Sequence, residues 1–109
     1  MIKCIQNPNA THFLEQNEHQ LLCHESENNL ILGLADSLVR NLQSSDKPLF
    51  LTILKDNEVV GQAIRSNADK PLIIGEMNDN YVQVLIEKLA GLNVNLTGVL
   101  GPSGSSSAF

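Results

Sequence analysis

The sequence predicts an α/β (α+β) domain in which helices flank a mixed, mainly antiparallel sheet, with the element order β-α-α-β-β-β-α-β. Short apolar runs bounded by Asn, Asp and Pro indicate strands, longer segments carry apolar residues at helical spacing, and a polar turn joins two apolar runs in mid-chain. A chain of 109 residues has room for one hydrophobic core. We therefore expect residues 1–100 to form a single domain and residues 101–109 to be a small-residue tail or the start of a following segment.

The first half of the chain is predicted to hold one strand and two helices. Residues 2–5 are a strand candidate closed by an Asn-Pro pair, after which Asn9 or Thr11 can cap a helix with a polar middle. The apolar positions of this helix are Ala10, Phe13, Leu14, Leu21 and Leu22. The polar cluster 25–29 then interrupts, and a second helix follows. Its apolar stripe is Ile31, Leu34, Ala35, Leu38, Val39 and Leu42.

A hairpin is predicted next. Residues 49–54 are almost entirely apolar, which indicates a strand buried on both faces in the middle of a sheet. Residues 55–58 supply a tight turn because Asp and Asn tolerate the positive φ angles of two-residue hairpin loops. Residues 59–65 are then the antiparallel return strand, and residues 72–74 are the strand that follows.

The last part of the chain is predicted to be a helix followed by a strand. Asp79 or Asn80 can cap the helix, and Gly91 ends it. Its apolar residues recur at one-turn and two-turn spacing, at Val82, Leu85, Ile86 and Leu89. Residues 96–100 are a short final strand.

Charge and hydropathy exclude two classes of partner. A net charge of -5 with only 4% aromatic residues argues against nucleic-acid binding, which needs a basic footprint and usually stacking rings. No apolar run approaches the roughly 18–20 residues that span a bilayer, and no export signal is recognisable, so we expect a cytoplasmic protein without a membrane partner. The cysteines, Cys4 and Cys23, are accordingly expected to be free thiols.

Four potential metal ligands lie three and four residues apart along the first predicted helix: His12, Glu15, His19 and Cys23. One helix cannot wrap four ligands around a tetrahedral ion, so we expect no metal site, although a small ligand- or metal-binding domain stays an alternative. Cys23 and His24 are neighbours, but helical neighbours point about 100° apart, which favours a core thiol beside a surface histidine over a catalytic pair.

The polar cluster between the first two helices supplies the candidate substrate-binding residues. These are Glu27, Asn28 and Asn29, because polar loops between buried helices often contact ligands. The alternative is that they cap the second helix and bind nothing.

Three segments resemble acetyltransferases of the GNAT family. The segment E-V-V-G-Q-A-I-R at 58–65 is similar to the central GNAT hairpin. E-N-N-L-I-L-G at 27–33 and G-V-L-G-P at 98–102 resemble the second helix and the last strand of a divergent, GNAT-like first half. The element order resembles the start of that fold as well, so the resemblance covers nearly the whole chain.

The resemblance implies transfer of an acetyl group from acetyl-CoA to an amine, with acetyl-CoA as the cofactor of the full family member. GNAT enzymes hold its pyrophosphate on backbone amides of a glycine-rich loop that leads into a helix. The corresponding residues 75–79 read G-E-M-N-D, with one glycine and two carboxylates, so no cofactor-binding or catalytic residue is assigned. We expect the N-terminal, non-cofactor-binding portion of such an enzyme, inactive alone.

Partners are expected on the same grounds. The predicted sheet has an edge at residues 96–100 with no following segment to flank it, and uncovered edges pair with other chains. We therefore expect a homodimer, or a missing C-terminal acetyltransferase segment, with the late strands and the 101–109 tail in the interface. The alternative function is a non-enzymatic interaction or dimerisation module.

Overall fold

The computed structural model confirms the predicted α/β class and element order. It describes residues 2–23, 25–40, 48–66, 70–75, 77–92 and 98–100, with the backbone alone at 25–28. The elements are β1 (Ile2–Gln6), α1 (Ala10–Cys23), α2 (Glu25–Arg40), β2 (Leu49–Lys55), β3 (Glu58–Arg65), β4 (Leu72–Ile74), α3 (Asp79–Gly91) and β5 (Val99–Leu100). The predicted tail, 101–109, lies outside the described residues.

The strands form one sheet in the order β1-β2-β3-β4-β5. The pairs β1–β2, β2–β3 and β3–β4 are antiparallel, whereas β4 and β5 are parallel. Parallel neighbours cannot be joined by a tight turn, and α3 is the helix in the crossover between them. The sheet is thus mainly antiparallel with one parallel pair at its edge.

A two-residue turn sets the register of the central hairpin. Asp56 and Asn57 have φ angles of 52° and 71°, the left-handed conformation that their short polar side chains tolerate. The register places Thr52 opposite Gln62, and it shifts between Ile53 and Leu54. The predicted turn and antiparallel return strand are confirmed.

Helices cover both faces of the sheet. Because side chains alternate along a strand, Leu51 and Ile53 of β2 point to one face and Phe50 and Thr52 to the other. Leu51 and Ile53 pack in a cluster with the buried residues of α3, which are Val82, Leu85 and Leu89. Phe50 packs in a second cluster with buried residues of α1 and α2, which are Ala10, Phe13, Leu21, Ile31 and Ala35.

The structure corrects the predicted polar break between the first two helices. Residues 25–29 belong to α2, which begins at Glu25. Carboxylates are favourable in the first turn of a helix, where they face the positive end of its dipole, and residues 25 and 27 are both Glu. The predicted second helix therefore starts earlier than the polar composition suggested.

Helix ends are partly as predicted. Asn9 caps α1, because its Oδ1 accepts a hydrogen bond from the His12 amide at 2.9 Å. The cap of α3 is Asn78, one residue before the two predicted candidates, and its carbonyl accepts bonds from the amides of Tyr81 and Val82. α3 ends at Gly91 as predicted: Gly91 is the last helical residue, and Leu92 follows in a right-handed conformation as the C-cap.

The last strand is shorter in the described chain than predicted. Of residues 96–100, the structure describes 98–100, and β5 is Val99–Leu100. The described part of the chain contains no helix that is both long and apolar enough to cross a membrane.

Candidate functional site

The predicted substrate-binding residues lie near the start of α2. Asn29 is exposed to solvent, while the side chains of Glu27 and Asn28 lie outside the described residues. Among the residues that the structure describes, no contact brings Asn29 together with another polar side chain. These residues therefore stay a prediction.

The loop between β4 and α3 occupies the position where the GNAT resemblance places the cofactor. Its course is determined by packing, because Met77 is buried over Gly61 in the middle of β3. A Cβ atom at residue 61 would lie 3.0 Å from the Met77 Sδ, so only glycine leaves the room that this side chain uses. The Gly75 amide donates to the Gln62 carbonyl at 3.0 Å. That amide is consequently engaged with the sheet.

The start of α3 completes this loop. The Asn78 side chain makes no capping hydrogen bond, and the exposed Asp79 is in the first turn. A carboxylate there occupies the region in which an anion would benefit from the helix dipole. Glu76, the other carboxylate predicted to oppose cofactor binding, lies outside the described residues.

A group of polar side chains, most of them buried, joins α1 to the sheet face on which Phe50 lies. We call it the carboxamide network, and its members are Asn7, Gln16, Asn17, Gln20, Thr52 and Gln62. Asn17 and Thr52 have no exposed surface, and Gln62 is 1% exposed. Burial of so many polar groups is tolerated only when they bond to one another.

Thr52 is the centre of the carboxamide network. Its Oγ1 donates to the Asn7 Oδ1 at 2.6 Å and accepts from the Asn17 Nδ2 at 2.8 Å. The same Asn17 nitrogen also bonds to the carbonyl of Phe13, one helical turn earlier, at 2.9 Å. Thr52 thereby links the end of β1 to the middle of α1.

Gln62 extends the network towards the surface. Its Nε2 donates to the Gln20 Oε1 at 2.6 Å and lies 3.4 Å from the Asn17 Oδ1. At the other end, the Asn7 Nδ2 donates to the Gln16 Oε1 at 2.8 Å. Gln16 and Gln20 are both partly exposed, so the buried centre reaches solvent through two side chains of α1.

The carboxamide network can position groups by hydrogen bonding. Amide and hydroxyl side chains donate and accept hydrogen bonds but stay uncharged near neutral pH. The network can therefore hold α1 in place on the sheet or orient a polar ligand. It cannot supply a general base.

The two cysteines are both free thiols and have different environments. Cys4 is half-buried against the α3 side of the sheet, and burial raises its pKa to about 11 despite the nearby positive charge of Lys88. A thiol held in its neutral form is a poor nucleophile. Cys23 is exposed, so the expectation of a core thiol there is wrong: it is the last residue of α1, where the helix presents it to solvent.

The potential metal ligands of α1 are spread over its surface. His12, Glu15, His19 and Cys23 are all exposed. Across the residues that the structure describes, no three His, Cys, Asp or Glu side chains come close enough together to hold a metal ion. His24 lies outside the described residues.

A cleft lies beside α1, where α1 and α2 meet. Its volume is about 450 Å³. Three apolar side chains line it, Leu14 and Leu22 from α1 and Val39 from α2. Its polar lining comes from α1 alone and consists of Thr11, Glu15, Glu18 and His19. The cleft is thus lined by apolar and acidic side chains together, and we call it the α1–α2 cleft.

Comparison with known proteins adds no family to these observations. No protein-family model, no curated protein and no solved structure matches the chain. The candidate sites therefore rest on the residues themselves.

The carboxamide network is the feature that sequence reasoning missed. Asn17 lies one turn after Phe13 and one turn before Leu21, so helical spacing alone places it on the buried stripe. Thr52 and Gln62 likewise alternate with buried apolar neighbours. The sequence signal for the network was a polar residue, Asn17, at a helical position otherwise occupied by buried apolar residues.

Proposed function

We propose that this chain is the N-terminal, non-cofactor-binding portion of a GNAT-family N-acetyltransferase, which transfers an acetyl group from acetyl-CoA to an amine. The observation that supports the proposal is the element order together with the parallel β4–β5 pair that α3 connects. The segment 58–65, which carries the resemblance to the central GNAT hairpin, is the whole of β3, next to the two-residue turn of the hairpin.

The position of a ligand in such a unit follows from the topology. Ligands of parallel α/β units bind beyond the carboxyl ends of the strands, near the start of the connecting helix. Here that place is the loop after β4, where Met77 packs down on Gly61 and Asp79 brings negative charge. A pyrophosphate would meet the negative charge of Asp79 there, and the Gly75 amide already donates to the Gln62 carbonyl. We therefore propose that a further segment supplies the cofactor loop of the full enzyme.

The chain's own contribution would be to the acceptor side, through α1, α2 and residues 27–29. A general base is a separate requirement, because the attacking amine must lose a proton. Every carboxylate whose side chain the structure describes is exposed, namely Glu15, Glu18, Asp36, Asp56, Glu58, Asp79 and Glu87. None of these carboxylates is buried in a pocket that could hold an amine away from water, so we assign no catalytic residue to the described chain.

Two measurements test this proposal. Calorimetric titration of the isolated chain with acetyl-CoA should give no specific heat, whereas a dissociation constant in the micromolar range would contradict the assigned loop. The chain should then be recovered from its native cells by antibody and assayed with labelled acetyl-CoA and a mixture of primary amines. We expect acetyl transfer only when a longer polypeptide or a second chain is recovered. Recovery of this chain alone, without transfer, would contradict the acetyltransferase assignment.

A dimerisation module is the second candidate, and exposed apolar residues on both edge strands favour it. Ile2 on β1 is 37% exposed and Leu100 on β5 is 49% exposed. Because helices cover both faces of the sheet, association would use these edges, where backbone groups are available for pairing. Light scattering of the chain should show a homodimer that Leu100→Lys dissociates and Leu30→Lys, an equally exposed change on α2, does not. A monomer of 11.9 kDa at all concentrations would exclude it.

A cytoplasmic location is part of the same proposal. Acetyl-CoA-dependent transfer needs an intracellular cofactor pool, and both cysteines are free thiols, as a reducing compartment requires. Alkylation of unfolded protein taken directly from cells, before any reductant is added, should label both thiols. A disulfide between them in that sample would contradict the assignment.

A further inference from the structure

We infer that the α1–α2 cleft binds a basic amphipathic helix of a partner protein. The cleft is separate from the β4–α3 loop, and its use does not depend on acetyl transfer. The argument rests on the order of its apolar and acidic residues along α1 and on the charge of its surroundings.

The lining residues repeat along one side of α1. Leu14, Glu18 and Leu22 are each four residues apart and share one stripe of α1, and Glu15 lies one turn before Glu18, so both carboxylates lie between the two leucines along the helix axis. The leucines are about 12 Å apart along the axis, since each residue of a helix rises about 1.5 Å. Leu22 is 48% exposed and lines the cleft. This leucine offers apolar surface that the described residues leave uncovered.

The charge of the cleft selects a cationic partner. Glu15 and Glu18 line it and no Lys or Arg is among its described lining residues. The nearby Arg40 of α2 is paired with Asp36 at 2.8 Å, so its charge is already balanced on its own helix. The chain as a whole carries a net charge of -5, which steers basic molecules towards it.

The pattern distinguishes a peptide from a simple polyamine. A polyamine has cations at its ends and methylene groups between them, whereas along α1 the two carboxylates that line the cleft lie between Leu14 and Leu22. The ligand complementary to this lining is a helix with two apolar residues about two turns apart and Lys or Arg between them. Such a helix would seat its apolar residues against Leu14 and Leu22 and direct its cations to Glu15 and Glu18.

The test uses the full chain and a labelled, alanine-based helical peptide about four turns long, with leucines about two turns apart and lysines between them. We expect saturable binding, followed by fluorescence anisotropy at low salt, with a dissociation constant on the order of tens of micromolar. Amide chemical-shift changes should be confined to α1 and the end of α2. No saturation up to about 1 mM peptide, or shift changes centred elsewhere, would overturn the inference.

Variants of exposed glutamates distinguish peptide binding in the cleft from non-specific attraction to the negative charge of the protein. Glu15→Gln/Glu18→Gln should weaken binding about fivefold to tenfold, while Glu58→Gln/Glu87→Gln, which removes the same charge from β3 and α3, should have less than a twofold effect. Equal effects of the two pairs would overturn the inference.

A second pair of variants tests the apolar contact between the peptide and the cleft. Leu22→Ala should weaken the peptide about tenfold, and Leu100→Ala, at a similarly exposed leucine of β5, should not. A peptide with glutamates in place of its lysines should fail to bind. If spermidine competes at the peptide's own concentration, charge alone accounts for binding and the helix is the wrong partner.

Discussion

Replacing Thr52 by Val is expected to destabilise the protein strongly, although the two side chains have nearly the same volume. Thr52 is fully buried at the centre of the carboxamide network. The substitution removes its Oγ1 without leaving a cavity, so the change in the free energy of unfolding reports on hydrogen bonding.

The magnitude follows from the two bonds that are lost. The Asn7 Oδ1 loses a donor at 2.6 Å, and the Asn17 Nδ2 loses one of its two acceptors, at 2.8 Å. Each buried bond contributes about 1–1.5 kcal/mol, and a buried group left without its partner adds to this, so we expect a loss of about 2–3 kcal/mol. That is a large share of the roughly 5–15 kcal/mol that stabilises a domain of this kind.

Urea unfolding followed by far-ultraviolet circular dichroism measures this loss. We expect the midpoint to fall by about 1–2 M with an unchanged m-value. Thr11→Val is the matched control, because Thr11 is exposed on α1, and it should change the unfolding free energy by less than about 0.5 kcal/mol. For the double variant Asn17→Leu/Thr52→Val, the loss of unfolding free energy should be about 1 kcal/mol smaller than the sum for the single variants, because both single variants break the same Asn17–Thr52 hydrogen bond. A loss below about 1 kcal/mol for Thr52→Val, or simple additivity, would refute the network.

Three further predictions concern other parts of the chain. Gly61→Ala should cost about 1 kcal/mol, because the new Cβ would lie 3.0 Å from the Met77 Sδ, and the cost should vanish in a Met77→Ala background; persistence there would place the clash elsewhere. At pH 8, iodoacetamide should modify Cys23 roughly a hundredfold faster than Cys4, whose pKa of about 11 leaves little thiolate, and equal rates would contradict the burial of Cys4. Because burial favours the neutral Cys4 thiol, this residue's contribution to stability is present at neutral pH and is lost as the pH rises through about 9 to 11. Thermal unfolding with zinc and with a chelator should coincide, whereas a shift of several degrees that His19→Ala abolishes would restore the metal hypothesis.

The fold was predictable because its signals are local. Positive φ at Asp56 and Asn57 follows from two residue types that tolerate it, and the strands on either side follow from apolar runs. Element ends were less predictable. Asn78 rather than Asp79 caps α3, because Asn78 is still extended and the helix begins at Asp79, and its neighbour Met77 is held against Gly61 of β3. Such a tertiary contact leaves little trace in local composition.

The carboxamide network was not predicted because its members are far apart in sequence. Asn17 and Thr52 are separated by 35 residues, and Asn7 and Thr52 by 45. Each is unremarkable alone, since Asn, Gln and Thr are common on protein surfaces. Only the register of β1 and β2, and the rotation of α1 on the sheet, brings them together. Helical spacing could indicate burial of Asn17, but not its partners.

The distribution of polar groups explains why α1 and not α3 lies on its face of the sheet. Asn17 is on the buried stripe of α1, whereas the buried residues of α3 are all apolar. Thr52 and Gln62 point to the α1 face, whereas the buried side chains of β2 on the opposite face, such as Leu51 and Ile53, are apolar. Exchanging the two helices would leave three polar side chains buried without partners, at about 1–3 kcal/mol each, or about 3–9 kcal/mol in total. Because that cost is comparable to the whole stability of the domain, the carboxamide network is sufficient to determine which helix covers which face.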